Sequence, residues 1–364
     1  MQTLTHDEFL AARRFPGLDG LRAVAATMVV LFHFGGPEVL QGWIGVHLFF
    51  VLSGFLITTL LLREHQRAGR VSLPEFYLRR AFRILPVYLV VLVLTVTGCL
   101  LAGTFGSSGM AASLPLQLTF LNEFTQNNPF GHSWTLGTEE KFYLCWPLLA
   151  FVGAVSTARR LLVAVAGLVL ALALLPVTLP QSTPNWTLGY FSILAGCLLA
   201  VVMHHPRGFA LVRPLTHPLV ALGIGVAFVG AHLSVAACAG LLGGWLHMPG
   251  HIAVTPVYAV AAAFLLPAVL ARGPVRWVLS TRPMAFVGAR SYSVYLVQNF
   301  AGLAVALLPV AGAARTALVC AVALAMAHLA HRLVEQPMIA VGRGLVERRR
   351  LRLAGTPRDE LVGA

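Results

Sequence analysis

Apolar runs close to twenty residues long recur along the whole chain, and a run of that length has few structures open to it. Unpaired backbone cannot face lipid, so a segment crossing about 30 Å of hydrocarbon closes its hydrogen bonds within a helix. The composition agrees: 58% of the 364 residues are hydrophobic and only 11% charged, against about a quarter charged in soluble domains. The expected fold is therefore all-α and polytopic. The first apolar run, Leu18 to Phe34, has a basic flank at Arg13 and Arg14 and charges within it, which reads as a retained helix and not a cleaved leader. It carries Asp19 and Arg22 near one end and His33 near the other. Eleven helical steps make three turns plus roughly 20° and roughly 16 Å of rise, so Arg22 and His33 share a face. Polar groups in hydrocarbon are costly and mark a protein-lined cavity.

Ten spans are expected, near 18–35, 43–62, 79–101, 136–154, 160–177, 187–203, 214–232, 252–271, 288–309 and 315–336. With both termini cytoplasmic, the inner segments hold Arg13 and Arg14, Arg63, Arg67 and Arg70, Arg159 and Arg160, Arg207 and Arg213, Arg272, Arg276 and Arg282, and the Arg348 to Arg350 tail. The outer segments hold only Arg315, as the positive-inside rule asks. An eleventh crossing near 234–250 would break that pattern. Residues 1–343 then form the membrane domain and 344–364 a short basic tail at the membrane surface, with no soluble second domain expected. The outer loop Ala102 to Ser133 contains SLPLQLTFLNEF, a short surface helix that either caps a cavity or simply covers the bundle. The net charge of +13 follows topology and does not point to nucleic acid. Cys99, Cys145, Cys197, Cys238 and Cys320 stand singly in apolar runs, without metal-ligand spacing, and read as buried packing residues.

The polar motifs come in a fixed order. FPGLDGLRAVAATMVVLFH contains Arg22 and His33; GWIGVHLFFVLSGFLI follows; FYLRRAFRILPVY carries Arg79, Arg80 and Arg83; HSWTLGTEEKFYLCWP runs from His132 to Pro147; GARSYSVYLVQ and LVEQP close the series. This set resembles the acyltransferase-3 family of integral membrane O-acyltransferases, over nearly the whole chain. The resemblance implies transfer of an acyl group, acetyl most commonly, from cytoplasmic acyl-CoA to a hydroxyl of a glycan, glycolipid or glycosylated metabolite in the bacterial plasma membrane, with no permanently bound cofactor. It makes His33 the catalytic histidine and Arg22 its paired arginine, and places Trp134, Glu139 and Tyr143 on the fourth-span motif. Two positions depart from the pattern: His47 stands where the family often has aspartate, and Gln298 where a histidine often closes the SYSxYL motif.

The residues support such chemistry on their own terms. A neutral imidazole, with a pKa of about 6.5 when unperturbed, suits a general base taking a hydroxyl proton. Burial would keep His33 neutral, and a carboxylate could fix its tautomer. Glu139 and Glu140 point about 100° apart on a helix, so at most one faces the site squarely, and the motif favours Glu139, unless it instead pairs structurally with Lys141 or with an arginine elsewhere. Arg22 either positions a thioester or pairs with Asp19. Arg79 and Arg83 share a face with Arg80 beside them, either as phosphate ligands for the donor or as lipid-headgroup anchors. Ser53 reads as a packing or helix-bending hydroxyl and not a nucleophile. Tyr292 and Tyr295 share a face, lining the cavity or bonding between helices. His132 borders the outer loop, within reach of an acceptor, and Glu335 is expected to partner an arginine. The same intramembrane Arg, His and Glu could instead form a proton-coupled transport path.

Overall fold

A computed structural model describes residues 3–125, 127–153, 156–178 and 186–353. The elements are helical throughout among these residues. In chain order they are α1 (His6–Ala11), α2 (Pro16–His33), α3 (Gly45–Ala68), α4 (Leu73–Leu101), α5 (Met110–Leu118), α6 (Trp134–Phe151), α7 (Thr157–Ala173), α8 (Leu175–Thr178), α9 (Trp186–His204), α10 (Pro206–Val212), α11 (Pro218–Leu233), α12 (Val235–Leu246), α13 (Gly250–Leu270), α14 (Pro274–Leu279), α15 (Arg282–Ala306), α16 (Gly312–Ala330) and α17 (Gln336–Leu353). A π turn, His331–Glu335, joins the last two. The outer part of the basic tail, 354–364, lies outside the described residues.

Five helical segments are long and apolar enough to cross a membrane: Glu38–Ala68, Leu73–Leu101, Trp186–His204, Gly250–Leu270 and Gly312–Arg352. A sixth is added if Pro206–Thr216 and Pro218–Leu233, bent by 76°, make one span. Each of the ten expected segments nevertheless coincides with a helix, and those that fall short do so for visible reasons. Helix α6 spends three of its 18 residues on Glu139, Glu140 and Lys141. Helices α2 and α15 carry the polar residues of the RAVAATMVVLFH and SYSVYLVQN motifs, and α7 has 17 residues. The segment considered as an eleventh crossing does form a helix, α12, but its 12 residues rise only about 18 Å, too short to cross.

Exposed leucines and valines such as Val93, Leu162, Val169, Val226 and Leu303 form an apolar exterior far beyond what a water-soluble chain leaves open. The molecule is a multi-pass membrane protein. Of the cysteines, Cys99 and Cys197 are buried, Cys238 and Cys320 partly so, and Cys145 is exposed on this exterior, contrary to the burial expected for all five.

At the centre, α2 packs on α3 and α15, and α3 on α9. Helix α9 also meets α7 and α13. The α3–α9 crossing is as close as backbones allow, because each helix offers a glycine to the other. A Cβ on Gly54 would stand 1.9 Å from the Ile193 carbonyl oxygen, and one on Gly196 would stand 2.0 Å from that of Val51. Small residues at such crossings let membrane helices approach on dispersion contacts alone. Gly54→Ala is therefore expected to push the pair apart at a cost of roughly 1–3 kcal/mol, read as a lower unfolding temperature in detergent; an unchanged midpoint would refute the contact. Helix α2 is held as tightly on α15, where a Cβ on Gly288 would meet the Asp19 carbonyl oxygen at 1.9 Å.

The loop between α4 and α6 does more than cover the bundle. Its helix runs Met110–Leu118, ending before the TFLNEF half of the segment expected to be helical, and its polar residues turn inward. Gln117 and Asn122 are fully buried. The Tyr88 hydroxyl donates to the Gln117 carbonyl at 2.8 Å, and Asn122 Nδ2 donates to Tyr88 at 2.8 Å and to Ser133 at 2.6 Å. Lys141 pairs with Glu123 at 2.7 Å and donates to the Phe120 carbonyl at 2.6 Å. Lys141 is therefore the bolt of this loop, and not the partner of Glu139.

Candidate active site

The site is built where α2, α3, α4 and α6 bring charged side chains into the bundle. Ser53, one residue before the glycine that seats α3 on α9, donates to Glu139 Oε1 at 2.5 Å. The Glu139 carboxylate also has Arg22, Tyr143 and Arg80 as electrostatic neighbours. Arg22 in turn has Arg83, Tyr143, Asp19 and Glu139 around it. The Arg80 guanidinium lies over the Tyr143 ring at 5.6 Å and the Phe76 ring at 5.8 Å. Glu140 completes the cluster: Arg80 is its neighbour, and its buried Oε1 has no hydrogen-bond partner among the described residues. Three guanidiniums, on Arg22, Arg80 and Arg83, thus meet three carboxylates, on Asp19, Glu139 and Glu140. Buried charge persists only when balanced in this way.

On one side the cluster opens into a chamber of about 1800 Å³, well above the roughly 300–1,000 Å³ of common small-ligand sites. Arg22, Arg79, Arg80 and Arg83 line it, within a wall of twelve arginines and five acidic residues among the described residues. Arg79 is the least free of the expected donor ligands, pairing with Glu64 at 2.9 Å and Glu75 at 3.3 Å. Arg80 and Arg83 form no ion pair within 4.0 Å among the described residues. Glu335 borders the chamber as well. It accepts from Ser293 Oγ at 2.9 Å and lies 3.0 Å from His331 Nδ1, so its close partners are a serine and a histidine, where an arginine was expected.

His33 lies apart from this cluster. It is the last residue of α2 and exposed, where burial was expected. Its Nδ1 lies 2.9 Å from the Val29 carbonyl oxygen. A carbonyl only accepts, so Nδ1 carries the proton of the neutral ring and Nε2 keeps its lone pair. The backbone thus sets the tautomer that a carboxylate was expected to set, and no hydrogen bond links His33 to Glu139 among the described residues. Its neighbours are Gln298 and His132, which turn the ring toward α15 and the entry to α6. His132 bonds to Asn299 at 3.0 Å and to the Leu296 carbonyl at 3.3 Å. The Tyr295 hydroxyl donates to the His132 carbonyl and accepts from Thr135 Oγ1 at 2.8 Å. Tyr295 is also an electrostatic neighbour of Glu139. Hydrogen bonds join Thr135, Tyr295 and the His132 backbone, with Glu139 an electrostatic neighbour on one side and His33 on the other.

Trp134 packs edge-on against Phe50 at 5.9 Å, between the two centres. Tyr292 donates to the Ile84 carbonyl at 2.7 Å, an interhelical bond from α15 to α4. His47 and Gln298, the two departures from the motif pattern, are both buried. His47 Nδ1 meets Ser192 Oγ at 2.9 Å, joining α3 to α9. Gln298 donates to the Tyr295 carbonyl at 3.0 Å, while its Oε1 is buried without a partner.

Fold and site together define a membrane-embedded helical protein with a charged cluster bordering a basic chamber and a histidine at the far end of α2. The chain belongs to the acyltransferase-3 family of membrane O-acyltransferases: that family's model, described as an acyltransferase domain, matches residues 15–328. It is 28% identical over 316 residues to the O-acetyltransferase OatA of Staphylococcus aureus, covering 80% of this chain and 51% of that protein. It is 29% identical over 313 residues to the peptidoglycan O-acetyltransferase OatA of Listeria monocytogenes, covering 77% and 48%. The chain thus spans about half the length of these relatives. No solved structure matches it at a significant level.

Proposed function

We propose that this chain is a ten-span O-acyltransferase of the bacterial plasma membrane, with both termini cytoplasmic. It moves an acetyl group from cytoplasmic acyl-CoA to a hydroxyl of a glycan, glycolipid or glycosylated metabolite, and peptidoglycan is the acceptor its relatives' names suggest. The observation that carries this reading is the chamber: a basic cavity on the arginine-rich face ends at Arg22, Arg80 and Arg83, where a polyanionic thioester can dock with its acyl end toward the bundle. His33 takes the acceptor hydroxyl's proton through Nε2 as the oxygen attacks the thioester carbonyl, the C–S bond breaks, and CoA leaves as a thiolate that takes up the proton from solvent or the imidazolium. Arg22 holds the donor at the chamber end while its thioester arm extends along α2 toward His33, and Glu139 holds Arg22 and Arg80 in place. Tyr143, Trp134, Tyr295 and His132 line the passage, with Ser53 and Tyr292 fixing the helices around it.

The test is transfer itself. Proteoliposomes holding the full chain, given isotopically labelled acetyl-CoA outside the cytoplasmic face, are expected to release CoA in step with labelled ester on a glycan acceptor. Mass spectra of cell-wall glycans and small molecules with and without the gene should differ by one acyl unit. Solute movement without CoA release would overturn the reading.

A further inference from the structure

The family match ends at residue 328, yet the chain remains helical to the end of the described residues. Residues Gly312–Arg352 form a continuous helical segment of 41 residues, which at roughly 1.5 Å per residue is about 60 Å long and twice the hydrocarbon thickness of about 30 Å. Its apolar half is α16, so α17 stands outside the hydrocarbon and leans back over α4. Gly342 sits against the Phe82 side chain, and Arg350 binds Glu75 at 2.7 Å. Glu75 also holds Arg79 at 3.3 Å, and Arg79 holds Glu64 at 2.9 Å. Glu64 in turn accepts from the Ser72 amide at 2.8 Å. This chain of ion pairs fastens α17 to the α3–α4 turn.

The face so presented is regular. Gln336, Ile339, Arg343, Val346 and Arg350 all border the chamber, at the three-and-four spacing of one helix stripe. The stripe rises about 21 Å from the π turn to Arg350. Arg350 is neutralised by Glu75, but Arg343 and Arg349, which also border the chamber, have no hydrogen bond or ion pair among the described residues. Unpaired guanidiniums on a cavity wall are suited to phosphate esters.

We propose that α17 is a wall of the donor site: Arg343 and Arg349 bind the phosphates at the nucleotide end of the donor, while its thioester arm passes Arg22 and Arg83 on the way to His33. This deepens the acyl-CoA reading and rests on it. The shared chemistry is a phosphate ester, which a soluble nucleotide or an anionic lipid headgroup could supply; the assignment is to the soluble one.

The test uses the full chain in zwitterionic nanodiscs, titrated with CoA and separately with inorganic pyrophosphate. Arg343→Gln and Arg349→Gln are each expected to raise the CoA Kd by about tenfold and to flatten its salt dependence. Arg348→Gln and Arg352→Gln, on the same helix but off the chamber, are expected to change it less than twofold. Equal weakening by Arg348→Gln, or wild-type affinity in Arg343→Gln, would overturn the proposal. So would complete loss of CoA binding on adding phosphatidylglycerol, which would mark a headgroup site. If wild-type protein binds pyrophosphate but not CoA, and Arg343→Gln abolishes that binding, the α17 subsite stands and the acyl-CoA donor falls.

Discussion

Replacing His33 with alanine is expected to lower acyl transfer by roughly 10²–10⁴-fold, the usual worth of a positioned general base, while CoA binding in the chamber stays intact. The separation follows from the helix. His33 lies eleven residues from Arg22, roughly 16 Å along α2, beyond the cluster that borders the chamber, so its loss leaves the donor's charged contacts alone. The Val29 carbonyl occupies Nδ1, so Nε2, on the Gln298 side of the ring, is the nitrogen that carries the lone pair. Glutamine at this position can bring an amide near the acceptor but no comparable base, so His33→Gln should be as inactive as His33→Ala. Transfer rate and CoA affinity, measured on the same preparations, check both halves. A variant that transfers within twofold of wild type removes the base assignment, and one that also loses CoA binding places His33 in the donor site instead.

Much of α2 is legible in the sequence because two strong constraints coincide there. A run of that length in lipid has to be helical, and helical geometry then fixes Arg22 and His33 on one face whatever surrounds them. What surrounds them is not legible. Glu139 and Glu140 diverge by about 100°, but which way each points depends on how α6 rotates against α3, and that shows only in the bond from Ser53 to Glu139, 86 residues apart. The polar residues of the loop between α4 and α6 look like surface residues until Tyr88 and Lys141 are seen to take them up. The π turn at His331–Glu335 adds a residue to the helical repeat without any sequence marker and turns Glu335 toward Ser293. The arginines after it look like a tail because charge alone does not say what it leans on; Glu75, 275 residues earlier, supplies that answer.

Glu139→Ala is expected to cost folded protein as well as activity. The side chain sits among Arg22, Arg80 and Tyr143 and takes the Ser53 hydroxyl; removing it leaves two guanidiniums against Asp19 and Glu140 alone. Removing one carboxylate from this half-buried cluster leaves the neighbouring guanidiniums less compensated, at a cost of roughly 1–3 kcal/mol, so the unfolding midpoint in detergent should fall by a few degrees. Glu139→Gln keeps an oxygen for Ser53 and should lose less stability, yet transfer should still fall because Arg22 is no longer held. A compensating change separates the two effects. Adding Arg22→Met to Glu139→Ala removes the surplus charge, and the double variant should recover most of the lost stability while remaining inactive. If Glu139→Ala instead melts and transfers like wild type, the carboxylate plays no part in the centre. If the double variant is no more stable than the single one, the two groups are not coupled, and Arg22 would then have to draw its balance from Asp19.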